Sequence, residues 1–203
     1  MTTRKVAVIA AGVSTPSSTR MLADQLAAAI GEELRSAGVP AQVEIVELRE
    51  HARALADAVV TGFAAGDLRD AIRTVTAADA VVAVTPVFAA SYSGLFKTFI
   101  DVLEPDGLTG KPVLLAATAG TARHSLVIEH AMRPLFSYLR ALTVPTGVFA
   151  APEDWAGGDA APLSTRIERA ARELTDLLTA RAPVPPADPF ADPTPFEDLL
   201  AES

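Results

Sequence analysis

The chain contains no cysteine. That excludes a disulfide framework, a zinc–thiolate site and a thiol nucleophile. It also lacks an excess of positive charge: 17 Lys and Arg stand against 25 Asp and Glu, for a formal net charge of −8. Nothing here is an electrostatic footprint for DNA or RNA. No apolar run approaches the ~20 residues that a membrane-spanning helix needs, and the N-terminus has no signal-peptide pattern. We therefore expect a cytoplasmic protein with no nucleic-acid or membrane partner. Three phosphate- or metal-binding signatures are missing too. After the first apolar run only Gly12 stands where a dinucleotide-binding Gly-x-Gly-x-x-Gly would need three glycines. No Gly-Lys-Ser/Thr phosphate loop occurs. Ala10, Ala11 and Gly12 occupy the place where a receiver domain carries metal-binding carboxylates.

What is present reads as one folded domain. The chain has 203 residues, 50% of them apolar and 21% charged, enough for a sizeable core. We expect that domain to span residues 1–181. The remainder, 182–203, is acidic, with Asp188, Asp192, Glu197, Asp198 and Glu202, no basic residue and six prolines. Such a segment is expected to be extended or disordered.

Apolar strands and amphipathic helices alternate along the domain. Lys5–Ala10, Ala80–Val84 and Pro112–Ala117 are short unbroken apolar runs, the pattern of strands buried on both faces. The run at Ala80 is expected to stop at Thr85–Pro86, because proline cannot continue an interior strand. Gln42–Leu48 alternates polar and apolar, as an outer strand does, and Pro145 puts the last strand, Val144–Phe149, at an edge. Leu22, Leu26, Ile30 and Leu34 form one stripe of a helix from about Thr19 to Ala37, ended by Gly38 and Pro40. Helical pieces follow at His51–Val60 and Asp67–Ala77. Leu95, Phe96, Phe99, Ile100 and Leu103 mark another helix, and Leu163–Arg181 closes the domain. A helix is also expected from about Ser125 to Leu142. It is apolar on more than one side and carries Pro134, which predicts a local irregularity.

Five strands, each followed by a helix, imply an α/β fold with a parallel sheet covered on both faces. With the other signatures excluded, the expected layout is flavodoxin-like: a doubly wound five-stranded parallel sheet of order 2-1-3-4-5. Its ligand would sit at the switch point between the first and third strands. Three loops meet there. Ser14, Ser17, Ser18 and Thr19 precede a helix N-terminus, whose free N–H groups and dipole suit a phosphate; the same residues also suit plain helix caps. Pro86–Ser93 offers Phe88 and Tyr92, which serve either as a wall for a flat ring or as core aromatics. Thr118–Thr121 surrounds Gly120 with small side chains, which permit close approach or simply form a turn. His51, His124 and His130 are scattered, and no Ser-His-Asp set is indicated.

Thr85–Leu103 (TPVFAASYSGLFKTFIDVL) resembles the central signature of the NAD(P)H-dependent FMN reductase family. Ala11–Arg20 (AGVSTPSSTR) and Ala117–Leu135 (ATAGTARHSL…MRPL) resemble its other two flavin-contacting regions, so the likeness covers about residues 4–150. The nearest likeness is to reductase components of two-component flavin monooxygenase systems. The resemblance implies FMN as cofactor, its phosphate on Ser14, Ser17, Ser18 and Thr19, and its ring against Pro86, Val87, Phe88, Thr118, Ala119, Gly120 and Thr121. It implies NADPH or NADH as hydride donor to flavin N5, with reduced FMN passing to a partner oxygenase. It names no catalytic acid, base, nucleophile or metal. A homodimer or homotetramer is implied, since a neighbouring subunit completes such sites. Two related readings stay open: a quinone or azo reductase with FMN held permanently, and a flavodoxin-type electron carrier. Relatives often carry Gly-Ser directly after the first strand with an arginine soon after, whereas this chain has Gly12-Val13-Ser14 and then Arg20.

Overall fold

The computed structural model describes residues 3–155 and 163–180, so the expected tail lies outside the described residues. Strand β1 (Arg4–Ala10) leads through helix α1 (Ser18–Ser36) to β2 (Ala41–Glu47). A 3₁₀ turn at Leu48–His51, α2 (Ala52–Thr61) and α3 (Gly66–Thr76) return the chain to β3 (Ala80–Phe88). Then come β4 (Ser91–Tyr92), α4 (Gly94–Asp101), β5 (Pro112–Thr118) and a 3₁₀ turn at Ala122–His124. A π-helical turn at Ile128–Met132 runs into α5 (Arg133–Tyr138), followed by β6 (Leu142–Thr143), β7 (Val148–Ala150), α6 (Pro152–Trp155) and α7 (Leu163–Ala180). No helix among the described residues is long and apolar enough to cross a membrane.

The sheet runs β2-β1-β3-β5, and β6 and β7 both pair with the far side of β5. All these pairs are parallel. This is the doubly wound flavodoxin-like order expected above. Alternation along the strands explains the two cores. Ala7, Ile9, Val81, Ala83, Val113 and Leu115 face one way, against Leu55, Leu68, Val75, Phe96, Phe99 and Phe136. Val6, Val8, Val82, Val84, Leu114 and Ala116 face the other way, against the stripe Leu22, Leu26, Ile30 and Leu34 of α1 and Ile167, Ala171, Leu174 and Leu178 of α7.

Among the described residues seven strands are seen where five were expected, for two separate reasons. The fifth strand is split. The Val144 N–H still donates to the Val113 carbonyl at 2.9 Å, but Pro145 has no N–H. The Thr146 N–H then goes to the Glu173 carboxylate at 2.7 Å rather than to the sheet. Pairing resumes at Val148. The second addition is β4, which folds back antiparallel onto the end of β3. Strand β3 itself does not stop at Pro86. The Val84 carbonyl accepts from the Ala11 N–H at 2.9 Å, so Pro86, two residues on, faces the same side. The β1 ladder has ended there, at Ala10↔Val84, and no donor is required of the proline.

The single helix expected over Ser125–Leu142 is also corrected. A 3₁₀ turn at Ala122–His124 precedes that span, which itself holds a π turn (Ile128–Met132) and a short α-helix (Arg133–Tyr138), and Leu142 already belongs to β6. Pro134 donates no hydrogen bond, and just before it the Arg133 N–H reaches back five residues to the Ile128 carbonyl. The Arg133 guanidinium then stitches this irregular stretch to the split strand. It donates to Thr143 Oγ1 at 2.9 Å and to the Val144 and Pro145 carbonyls at 3.1 Å.

Lys111, at the start of β5, closes the C-terminal end of α3. Its Nζ donates to the Thr76 carbonyl at 2.7 Å and to the Ala78 carbonyl. Burial pushes the ammonium down to about 8, against the pull of Asp79. A neutral amine still has two N–H groups for the two carbonyls. Above pH 8 the folded chain sheds this proton while the unfolded chain keeps it up to 10.5. Stability contributed by Lys111 is therefore fully present above pH 10.5 and lost as pH falls through 8. Lys111→Met should lower the melting temperature, and the gap to the wild type should widen from pH 8 to pH 10.5 in parallel thermal melts. A gap independent of pH would contradict the burial of this charge.

Candidate functional site

After β1 the chain moves outward to β2, and after β3 it moves the opposite way to β5. The two loops depart in opposite directions at the carboxyl ends of the strands, the crevice position of open α/β sheets. The residues expected to contact a flavin lie on the loops, strand ends and helix start around it.

The first loop, 11–17, is pulled tightly onto the start of α1. Gly12 is buried, and a Cβ there would sit 2.1 Å from Ser17 Oγ and 3.1 Å from Thr19 Cβ. Only glycine allows that approach. Ser17 is the N-cap, its Oγ accepting from the Arg20 N–H at 3.2 Å. Thr19 is buried, and its Oγ1 shares a hydrogen bond with Thr118 Oγ1 at 2.7 Å. Both side chains are thus committed to building the loop. Ser14 and Ser18 are exposed. Among the described residues the Ser18 and Thr19 N–H groups have no acceptor. They point along the axis of a 19-residue helix at its positive end.

Charged side chains surround this loop. Arg20 Nε lies 2.9 Å from Asp24, and its Nη1 pairs with Glu47. The Asp24 hydrogen bond above all raises the Arg20 pKa. Glu47 also holds Arg49 Nε at 2.9 Å. Arg49 Nη1 donates to Thr15 Oγ1 and, at 3.4 Å, to the Ser14 carbonyl. Arg49 did not emerge from the sequence as a site residue. The signal was there in the parallel register: Glu47 pairs with Ala10, so Arg49, two residues on, arrives at the same sheet end as Gly12.

The second loop is a hairpin. Pro86 is buried, Val87 half-buried and Phe88 49% exposed. Val87↔Tyr92 and Phe88↔Ser91 are its paired positions. Ala89 and Ala90 make the turn with φ of 48° and 67°. Tyr92 packs inward on Phe96, with ring centroids 5.9 Å apart, so it belongs to the core. Phe88 stands outside.

In the third loop Thr118 is buried by its bond to Thr19. The Ala119 N–H donates to the Ala150 carbonyl at 3.1 Å. Gly120 is exposed, and Thr121 accepts from the Arg123 N–H at 3.4 Å, capping the 3₁₀ turn. The Thr19–Thr118 bond brings the first and third loops together. An open cavity of about 620 Å³ lined by Leu142, Pro145, Glu173 and Leu177 lies away from all of these residues. Chemically, free N–H groups at the start of α1 suit an anion, and the aromatic and backbone surface of the other two loops suits a flat ring.

Comparison with known proteins gives this geometry a context. A sequence profile of the NADPH-dependent FMN reductase family matches residues 4–156, which include all three loops. The chain is similar to the NADH-dependent FMN reductase SfnE of Pseudomonas putida, 38% identical over 177 residues, covering 86% of this chain and 92% of that protein. It is similar to the FMN reductase (NADPH) of Pseudomonas aeruginosa, 35% identical over 180 residues, covering 88% and 94%. Among solved structures it resembles an oxidoreductase from Corynebacterium diphtheriae, with a TM-score of 0.85 and 48% identity, covering 89% of this chain and 99% of that one.

The link between the first and third loops can be measured by a double-mutant cycle. Thr19→Val and Thr118→Val should each destabilise the fold by about 1–3 kcal/mol, because each leaves a buried hydroxyl without its partner. The double variant should cost less than the sum, with a coupling of about 1 kcal/mol in denaturant unfolding. Additive effects would mean that the two hydroxyls do not hold each other.

Proposed function

Since the chain belongs to the NADPH-dependent FMN reductase family and is an NAD(P)H:FMN oxidoreductase, we propose that the crevice between the three loops is its flavin site. The unsatisfied Ser18 and Thr19 N–H groups carry this reading. With the exposed Ser14 and Ser18 hydroxyls they form a neutral donor set for a phosphate at a helix N-terminus. Ser17 and Thr19 contribute through their backbone, while their side chains hold the loop in shape. Pro86, Val87 and Phe88 on one side and Thr118, Ala119, Gly120 and Thr121 on the other line the space for the isoalloxazine ring. When bound there, FMN takes up a hydride from NADPH or NADH and supplies the redox chemistry. The protein's part is to seat the phosphate, orient the ring and keep water from it.

Reduced FMN leaving the site serves a partner oxygenase, as the likeness to two-component systems implies. Residues 1–181 act as one FMN-binding unit, and a homodimer or homotetramer completes the crevice. Leu126 and Tyr138, 62% and 85% exposed, are apolar surface that a second subunit would cover.

The test is oxidation of NADH and NADPH by the purified protein with FMN, FAD and riboflavin titrated separately. We expect turnover that saturates with FMN and is poor with riboflavin. The Ser14→Ala, Ser18→Ala variant should weaken FMN binding about tenfold while riboflavin binding changes little, since only FMN carries the phosphate. Equal losses for the two flavins would remove the phosphate from this loop. FMN retained through ping-pong turnover would instead favour a quinone or azo reductase.

A further inference from the structure

We propose that Arg49 is the cation of the flavin-phosphate subsite and sets the preference for FMN over riboflavin; this rests on the flavin-site reading above. The first loop carries no charge between Gly12 and Thr19, and a helix terminus offers a dianion only partial charges. Two guanidinium groups border the loop, and they are held differently. Arg20 is spent on two carboxylates, Asp24 through Nε and Glu47 through Nη1. Arg49 is paired with Glu47, its Nε 2.9 Å from the carboxylate on the stem side. Its terminal nitrogens are turned to the loop. Nη1 donates to the Ser14 carbonyl and to Thr15 Oγ1, both neutral acceptors, and Nη2 donates to no protein atom among the described residues. Its side chain is 33% exposed, so a phosphate can reach it. A guanidinium oriented by a carboxylate, with Nη2 uncommitted, can add a charge-assisted hydrogen bond to a phosphate at this loop. Arg49 also holds Ser14 and Thr15, the residues that lead directly into the start of α1.

The phosphate monoester that Arg49 would bind occurs in two ligands of this enzyme, FMN and NADPH, and it is that of FMN because Arg49 contacts the loop at the start of α1. The experiment measures dissociation constants of FMN and riboflavin for the apoprotein by flavin fluorescence quenching at low and high salt. Wild type, Arg49→Gln, Arg49→Lys and Arg20→Gln are compared, with KM for NADPH and NADH in parallel. Arg49→Gln should weaken FMN about tenfold or more and riboflavin less than about twofold. It should flatten the salt dependence of FMN binding. Arg49→Lys should recover part of the affinity, as a point charge without the fork, and Arg20→Gln should keep most of the FMN preference. An unchanged FMN-to-riboflavin ratio in Arg49→Gln overturns the inference. So does an equal loss of both flavins, which would make Arg49 a brace for the loop. A rise in NADPH KM alone would move the cation to the nucleotide phosphate and overturn it too. If the wild type itself shows no preference for FMN, the flavin-site reading fails first.

Discussion

The hydrogen bond from the Ala11 N–H to the Val84 carbonyl, 2.9 Å long, is the last rung between the two central strands, and the crevice begins where it ends. Up to that rung β1 and β3 are locked in register and buried on both faces. Beyond it β1 turns away to α1, while β3 continues through Pro86 against β5 alone, in the pair Pro86↔Thr118. A proline at this position costs the sheet nothing, because the side its nitrogen faces no longer has a neighbouring strand. The divergence thus follows from strand order and from where β1 stops, and no separate element is needed to open the site.

Two kinds of interaction then shape the crevice, and their magnitudes assign them different tasks. The Thr19–Thr118 bond is buried and joins the first loop to the third. A bond of this kind contributes about 1 kcal/mol net, but breaking one side costs more, since the orphaned hydroxyl stays desolvated. It therefore fixes geometry. The Arg20–Glu47–Arg49 pairs lie near the surface, where such pairs contribute roughly 0–1 kcal/mol to stability and are screened by salt. They add little to the fold. What they do is hold two guanidinium groups at fixed places beside the start of α1.

Much of this was legible in the residues. The stripe of α1, the edge position of β2 and the apolar runs of β1, β3 and β5 follow from periodicity alone, and strand order followed from excluding competing signatures. The loops were found because they sit at strand ends. What was not legible depended on pairing across the chain. Pro86 reads as a stop unless the neighbouring strand is known to have ended. Val144–Phe149 reads as one strand unless Glu173, nearly 30 residues later, is known to capture the Thr146 N–H. The four-residue side-chain rows of Ser125–Leu142 look helical, but Pro134 and the wide turn before it change the winding. Ser17 and Thr19 stand at the start of α1, but that their hydroxyls are already committed follows only from the folded loop, and Arg49 enters only through the β1–β2 register.

The hairpin at the other wall of the crevice shows how local strain is tolerated there. Ala89 and Ala90 both sit at positive φ, which for a residue with a Cβ costs roughly 1–2 kcal/mol each. The tight turn demands it, since a two-residue hairpin that follows the sheet twist needs left-handed residues at both central positions. The base of the hairpin is over-determined. Thr85 Oγ1 donates to the Pro86 carbonyl and accepts from the Ser93 N–H, each at 3.0 Å. Ser93 Oγ caps α4 through the Phe96 N–H at 3.2 Å. Phe96 is fully buried between Tyr92 and Phe136, with centroids at 5.9 and 6.3 Å. Burial of one such aromatic contributes about 1.5–3 kcal/mol, which with the cap and the Thr85 bonds matches the strain of the turn. The hairpin is thus held from its base, and Phe88, pointing away from that core, is presented on a stiff support. A stiff aromatic edge of this kind suits a flat ligand, because little side-chain freedom is left to lose on contact.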